Sequence, residues 1–131
     1  MVRCCQMGLV LLALFATFVG SLLLQPPTVQ AREHRATAAD VNSIIDNVFG
    51  PNAAAAKRVA MCESSMNPYA TNKLSIGGSN AAGLFQILYP STWVTTSQAA
   101  NSPYDAQANT IAAHEIFVRD GYSWREWVCQ P

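Results

Sequence analysis

Glu63 is the acidic residue whose position best suits catalysis. It lies in the string Cys62-Glu63-Ser64-Ser65-Met66-Asn67-Pro68-Tyr69-Ala70, at the end of a predicted helix and directly before a polar loop. A helix C-terminus carries partial negative charge, which disfavours a carboxylate, and an apolar wall acts in the same direction. Both effects favour the protonated carboxyl group that a general acid needs. On position alone, an ordinary solvated glutamate at a helix end remains the alternative.

Two helices are predicted to position Glu63. Thr37 and Asp40 resemble a helix-capping pair. Apolar residues then recur at helical spacing on one face: Val41, Ile44, Ile45, Val48 and Phe49. Gly50-Pro51 ends this helix, and Asn52 is the predicted cap of a second helix that runs to about Ser64.

The rest of the domain is predicted to hold a polar segment and further helices. Residues 69–83 are rich in Thr, Asn, Ser and Gly, which indicates a loop or a small hairpin. A short helix is predicted to begin at Pro90-Ser91-Thr92-Trp93, and Ser102-Pro103-Tyr104-Asp105 opens the last long helix, with Gly121 as its C-cap. The fold class is therefore mostly α, a small domain of four or five helices with one central polar loop or small hairpin.

The N-terminal segment has the pattern of a secretory signal peptide. Arg3 precedes the uncharged run Met7 to Leu24, and Val29-Gln30-Ala31 fits a cleavage site. We predict a signal peptide over residues 1–31, a flexible mature N-terminus over 32–38 and one domain over 39–131. The expected location is extracellular or in the cell wall. An uncleaved membrane anchor is the alternative, since about 18 apolar residues are just enough to span a bilayer.

The cysteines indicate a disulfide and no metal site. Removal of the signal peptide leaves Cys62 and Cys129, and two cysteines in a small exported domain suggest one disulfide. Structural zinc normally takes four ligands, whereas neither cysteine has a second Cys or His at ligand spacing and both histidines are isolated. We expect no metal and no other cofactor.

The charge balance argues against a nucleic-acid partner. Without Arg3 the mature part holds seven basic and eight acidic residues, with no basic stripe. The partner is expected to be bound by shape, stacking and hydrogen bonds, and the protein is expected to be a monomer.

Two strings resemble the signatures of soluble lytic transglycosylases. The string that starts at Glu63 resembles "E-S-x-x-N-P-x-A", and Gly83-Leu84-Phe85-Gln86-Ile87 resembles "G-L-x-Q-I" at the expected distance. The cysteine directly before Glu63 and the terminal "W-x-x-W-x-C" resemble resuscitation-promoting factors more closely. In that group the equivalent cysteines are disulfide-linked. The resemblance covers residues 41–129, which is nearly all of the predicted mature chain.

The resemblance implies a lysozyme-like helical fold and cleavage of peptidoglycan. It implies that Glu63 faces a cleft for β-1,4-linked N-acetylmuramic acid and N-acetylglucosamine and protonates the scissile oxygen. Gln86 matches the glutamine that lines this cleft, with capping of its own segment as the alternative role. Asn109 matches an asparagine that holds the active-site helices. The "A-Y-N-x-G" motif of the transglycosylases is absent, which leaves open whether a tyrosine assists catalysis.

Several other side chains are candidates for sugar binding. Possible hydrogen-bonding residues are Asn72, Ser75 and Asn80, and possible stacking residues are Tyr89, Trp93 and Tyr104. Each has a structural alternative, namely loop hydrogen bonds for the polar residues and core packing for the aromatic ones.

The spacing of the carboxylates bears on the reaction type. Ordinary glycosidases use two carboxylates, yet no Asp or Glu lies between Glu63 and Asp105. Asp105 is predicted to cap the last helix. A single carboxylate would then act as acid and afterwards as base, and the 6-hydroxyl of the substrate would attack to give a 1,6-anhydro product. The alternatives are a hydrolytic muramidase, a non-catalytic peptidoglycan-binding module and a small structural domain held by its disulfide.

Overall fold

Thr37 and Asp40 form the predicted capping box at the start of the first helix. In the computed structural model, which describes residues 37–131, the Asp40 amide donates to Thr37 Oγ1 at 3.2 Å and the Thr37 amide donates to Asp40 Oδ2 at 2.8 Å. Helix α1 runs Ala38–Phe49, so it begins one residue before the predicted domain boundary. Its apolar face is confirmed. Buried or partly buried against the core are Val41, Ile44, Ile45, Val48 and Phe49.

A short turn leads from α1 into the helix that carries Glu63. Gly50, at φ 50°, ends α1, and Gly50–Asn52 form one turn of 3₁₀ helix. Helix α2 then runs Ala53–Ser64, which confirms its predicted end. Asn52 stands at the N-cap position, but its side chain makes no capping hydrogen bond, so the predicted capping role is wrong. The preceding 3₁₀ turn holds Asn52 near φ −92° and ψ 1°, outside the extended geometry that a capping side chain normally needs.

The polar segment forms the small hairpin that was one of its two predicted structures, and a third strand from the residues after it completes an antiparallel sheet. The strands are β1 Thr71–Ile76, β2 Ser79–Ala82 and β3 Ile87–Tyr89, in the order β1-β2-β3. Gly77 and Gly78 join β1 to β2 with φ values of 57° and 81°. Positive φ at both positions is what a two-residue hairpin turn of type I′ requires.

Helix α3 completes the domain and leads into an aromatic C-terminal tail. It runs Ala106–Arg119, after a 3₁₀ turn at Trp93–Thr95 where the sequence predicted a short helix. Asp105 is its N-cap, as predicted, and its C-cap is Asp120. Gly121, the predicted C-cap, lies one position later, where its φ of 74° suits the left-handed residue that commonly follows a helix.

Phe49, the last residue of α1, lies at the centre of an aromatic cluster that joins the second motif, α3 and the tail. Its ring centroid lies 5.5 Å from that of Phe85, 5.9 Å from that of Phe117 and 5.5 Å from that of Trp124. Alanines on α2 and α3, among them Ala56, Ala60, Ala112 and Ala113, are fully buried around this cluster. Small side chains there let the helices approach closely.

The predicted fold class is therefore only partly correct. Residues 37–131 contain three α-helices and two 3₁₀ turns, together with the sheet and a disulfide between Cys62 and Cys129. In this part of the chain, no helix has the length and apolar character needed to cross a membrane. The predicted signal peptide and most of the predicted flexible segment lie outside the described residues.

Candidate functional site

Glu63 lies in the last turn of α2, partly buried, and is held by the C-terminal tail. The Cys129 amide donates to Glu63 Oε1 at 3.0 Å, although 66 residues separate the two in sequence. The disulfide confirms the predicted cysteine pairing and lies directly beside this contact, because it joins Cys62 to Cys129 with their Cα atoms 5.9 Å apart. The candidate acid is thus placed by its helix on one side and by the tail on the other.

The chain turns sharply after Glu63. Ser65 and Met66 have φ values of 55° and 63°, a region that side-chain-bearing residues rarely adopt. Gln86, in the second motif, has a φ of 50°. Such conformations cost on the order of 1–3 kcal/mol each and cluster at functional sites. Three of the four non-glycine residues with positive φ in residues 37–131 lie in the two motifs, and the fourth is Tyr122, after α3.

Gln86 links the two motifs through its amide group. Its Nε2 donates to the carbonyl of Ala70 at 3.1 Å and to the carbonyl of Gly83 at 2.8 Å. The Gly83 amide also donates to the Ala70 carbonyl, at 2.9 Å. Gln86 therefore does cap its own segment, which was the alternative role predicted for it. Within residues 37–131 its Oε1 accepts no hydrogen bond.

Asn109 holds the turn that carries Gln86. It is fully buried, its Oδ1 accepts from the Phe85 amide at 2.8 Å, and its Nδ2 donates to the carbonyls of Ala82 and Pro103. The structural role predicted for Asn109 is confirmed. Its position on α3 ties the second motif to the core.

The C-terminal tail contacts the second motif as well as Glu63. Trp127 is buried, and its Nε1 donates to the carbonyl of Phe85 at 2.8 Å. Since Phe85 precedes Gln86 and Cys129 follows two residues after Trp127, one short segment holds both predicted site residues. Sequence reasoning missed the Cys129 amide and the Trp127 indole as parts of the site. The only available signal was the repeated tryptophan and cysteine spacing of the tail.

The side chains of the polar candidates on the sheet make hydrogen bonds to the backbone of the hairpin. Asn72 Oδ1 accepts from the Leu74 amide at 2.9 Å, and Asn80 Nδ2 donates to the Asn72 carbonyl at 2.9 Å. Ser75 Oγ donates to the Ser79 carbonyl at 3.4 Å. Asn80 is paired across the sheet with Ser75 on one side and with Tyr89 on the other, so these three side chains form one row on one sheet face.

The three aromatic candidates have different surroundings. Tyr89 and Tyr104 are 47% and 37% exposed, and the Tyr104 hydroxyl is hydrogen-bonded to Thr71 Oγ1 at 2.8 Å. Trp93 is 0% exposed, and its Nε1 donates to the Asn101 carbonyl. The prediction that Trp93 stacks on a sugar ring is therefore wrong, because its ring faces are covered by the core.

The remaining acidic residues of the described chain are engaged elsewhere. Asp40 and Asp105 cap helices, Asp46 pairs with Lys57 at 2.7 Å, and Asp120 lies 3.4 Å from Arg125. Glu115 accepts hydrogen bonds from the amide and hydroxyl of Ser97, and Glu126 lies beside Arg125. Residues 37–131 bring together no group of three His, Cys, Asp or Glu side chains that would suit a metal ion.

Comparison with known proteins identifies the family of the domain that carries these residues. A family model described as "Lysozyme like domain" matches residues 46–129, a range that includes Glu63, Gln86 and both disulfide cysteines. Comparisons with curated proteins and with solved structures gave no match. Because the family model covers well over half of the 131 residues, the chain belongs to the lysozyme-like domain family.

Proposed function

We propose that this protein cleaves the β-1,4 bond between N-acetylmuramic acid and N-acetylglucosamine in peptidoglycan, with Glu63 as the catalytic acid. Family membership supports a glycosidase that acts on peptidoglycan. The assignment depends on one observation: within residues 37–131, Glu63 neither pairs with a basic side chain nor caps a helix. Every other carboxylate within residues 37–131 caps a helix, pairs with a basic group or holds Ser97, whereas Glu63 is held by one backbone amide.

The reaction begins with proton transfer from Glu63 to the glycosidic oxygen. The bond between that oxygen and the anomeric carbon of muramic acid breaks, and its electron pair stays on the oxygen. Positive charge develops at the anomeric carbon, where the oxygen of the neighbouring N-acetyl group stabilises it. The 6-hydroxyl then attacks this carbon, and the Glu63 carboxylate takes its proton. The product ends in 1,6-anhydro-muramic acid, and Glu63 is protonated again.

The absence of a second carboxylate supports this route over hydrolysis. Residues 64–104 contain no Asp or Glu, and Asp105 is engaged at the N-terminus of α3. A two-carboxylate glycosidase needs its second group about 5–9 Å from the first, either to attack the sugar or to activate water. In the proposed mechanism the substrate supplies the nucleophile itself.

Mass spectrometry of fragments released from purified peptidoglycan tests both the acid and the product. Wild-type protein should release fragments that end in 1,6-anhydro-muramic acid, lighter than hydrolysis products by one water. Glu63→Gln keeps the size of the side chain and should fold normally. It should lose at least about a hundredfold in rate, because general acid catalysis contributes 10² to 10⁴.

Water labelled with heavy oxygen separates the competing outcomes. Reducing ends that carry the label would make the protein a hydrolytic muramidase. Clearing of cell walls by Glu63→Gln at the wild-type rate would remove Glu63 from the mechanism. Wild-type protein that sediments with walls but releases nothing would be a binding module.

We further propose that the protein acts outside the cytoplasm. The disulfide supports an oxidising compartment, and the N-terminal sequence supports export with cleavage after Ala31. N-terminal sequencing of the exported protein should therefore begin at Arg32. An exported chain that keeps residues 1–31 and sediments with membranes would instead be anchored.

Of the predicted sugar-binding residues, Gln86, Asn72, Ser75 and Tyr89 stay in the proposal. Gln86 offers its Oε1, and Tyr89 offers an exposed ring in the row with Ser75 and Asn80. To bind sugar, Asn72 and Ser75 would have to give up hydrogen bonds that they make within the hairpin.

A further inference from the structure

The two oxygens of the Glu63 carboxyl group have different surroundings. Oε1 accepts from the Cys129 amide at 3.0 Å. Within residues 37–131 no group donates to Oε2. A neutral carboxyl group accepts hydrogen bonds best through its carbonyl oxygen and donates through its hydroxyl oxygen. An amide directed at Oε1 therefore favours the form that carries the proton on Oε2.

We propose that Cys129 is a positioning residue for the acid, and that its backbone N–H selects Glu63 Oε2 as the atom that delivers the proton. This inference rests on the proposed function of Glu63. Before proton transfer the amide holds Oε1 as acceptor and fixes the plane of the carboxyl group. After transfer the same N–H donates to a full carboxylate, and hydrogen bonds to ionised groups are the stronger kind. Cys129 thus orients the acid and stabilises the base that follows.

The tail that supplies this amide is held at several points. The disulfide fixes Cys129 to the turn of α2 that carries Glu63. Trp127 Nε1 donates to the Phe85 carbonyl. Within the tail, Gln130 Nε2 donates to the carbonyls of Trp124 and Trp127 at 3.0 and 2.7 Å. A donor fixed in advance needs no reorganisation during the reaction, which is the condition under which such a contact aids catalysis.

Two double variants separate the amide from the disulfide. Cys62→Ala with Cys129→Ala removes the disulfide and keeps the N–H, whereas Cys62→Ala with Cys129→Pro removes both, since proline has no N–H. On soluble glycan strands, at a temperature where both are folded, the proline variant should have a kcat at least about tenfold lower, the lower end of the range for one hydrogen bond to a charged group. KM should be the same in both variants.

Equal kcat values in the two variants would overturn the positioning role while leaving the proposed function intact, provided Glu63→Gln is inactive. A fully active Glu63→Gln would overturn the proposed function instead. Nuclear magnetic resonance of the unaltered chain tests the contact without a proline. The Cys129 amide proton should move downfield as Glu63 ionises with rising pH, and this movement should be absent in Glu63→Gln. A Cys129 amide proton in the wild type that does not respond to pH would also overturn the proposal.

Discussion

At the residue scale, Gly83 in the second motif has no room for a side chain. A Cβ atom there would overlap the side-chain nitrogen Nδ2 of Asn109 and the carbonyl oxygen of Pro103, and would lie 2.7 Å from Asn109 Cγ. Its φ of 80° adds backbone strain for any other residue. The glycine therefore lets the turn carrying Gln86 approach α3 closely enough for Asn109 to hold it.

Gly83→Ala should destabilise the domain by about 3 kcal/mol or more, because overpacking adds to the cost of a positive φ. Gly121→Ala is the matched control, since Gly121 has a φ of 74° but nothing lies within 4 Å of its added Cβ. The control should lose only about 1–2 kcal/mol. Urea unfolding of both variants measures the difference, and equal losses would show that crowding at Gly83 is unimportant.

At the scale of secondary structure, variants of Asp105 test the proposal that Glu63 is the one catalytic carboxylate. Its Oδ1 accepts from the Ala108 amide at 2.8 Å, which satisfies one of the free amides at the N-terminus of α3. Because asparagine caps about as well as aspartate, Asp105→Asn should keep both stability and activity. Asp105→Ala should lose about 1 kcal/mol of stability and keep its activity when folded.

Thermal unfolding and rates of wall lysis on both Asp105 variants check this expectation. A large loss of activity in a stable Asp105→Asn would mean that the carboxylate itself takes part in the reaction. The domain would then work with two carboxylates, and the argument for anhydro products would fail.

The helices were predictable because local and periodic signals agree. Thr37 and Asp40 cap α1, and its buried face repeats at helical spacing. Strand β1 could not be distinguished from a loop because all six of its side chains are exposed, so the alternation that identifies a half-buried strand is missing. The partner strands β2 and β3 are only four and three residues long, too short for a clear pattern.

At the scale of the whole molecule, the sequence predicted candidate site residues but not how they are held. Glu63 and Gln86 were chosen as candidates because their motifs have specific residue types at fixed spacing. The hydrogen bond from Cys129 to Glu63 uses a backbone amide, which every residue except proline carries, and it joins positions 66 residues apart. Trp93 was misassigned because an aromatic residue beside a motif has the same sequence pattern whether it lies in the core or in a cleft.

At this scale the disulfide is expected to stabilise the domain through the length of the loop that it closes. The bridge between Cys62 and Cys129 closes a loop of 67 residues, which encloses the sheet, α3 and both predicted motifs. In the chain-entropy model, closing such a loop in the unfolded state stabilises the fold by about 4 kcal/mol.

Cys62→Ala with Cys129→Ala should therefore reduce the free energy of unfolding by about 4 kcal/mol and lower the melting temperature. Reduction of the wild type should give the same melting temperature as the double variant, because both act through the same loop. At temperatures below the lowered transition, the reduced protein should keep part of its activity, since Trp124 and Trp127 still bury the tail against the core. Above that transition, activity and structure should be lost together. A wild-type melting temperature that does not change on reduction would show that the core alone holds the tail beside Glu63, and that the bridge adds nothing to the stability of the site.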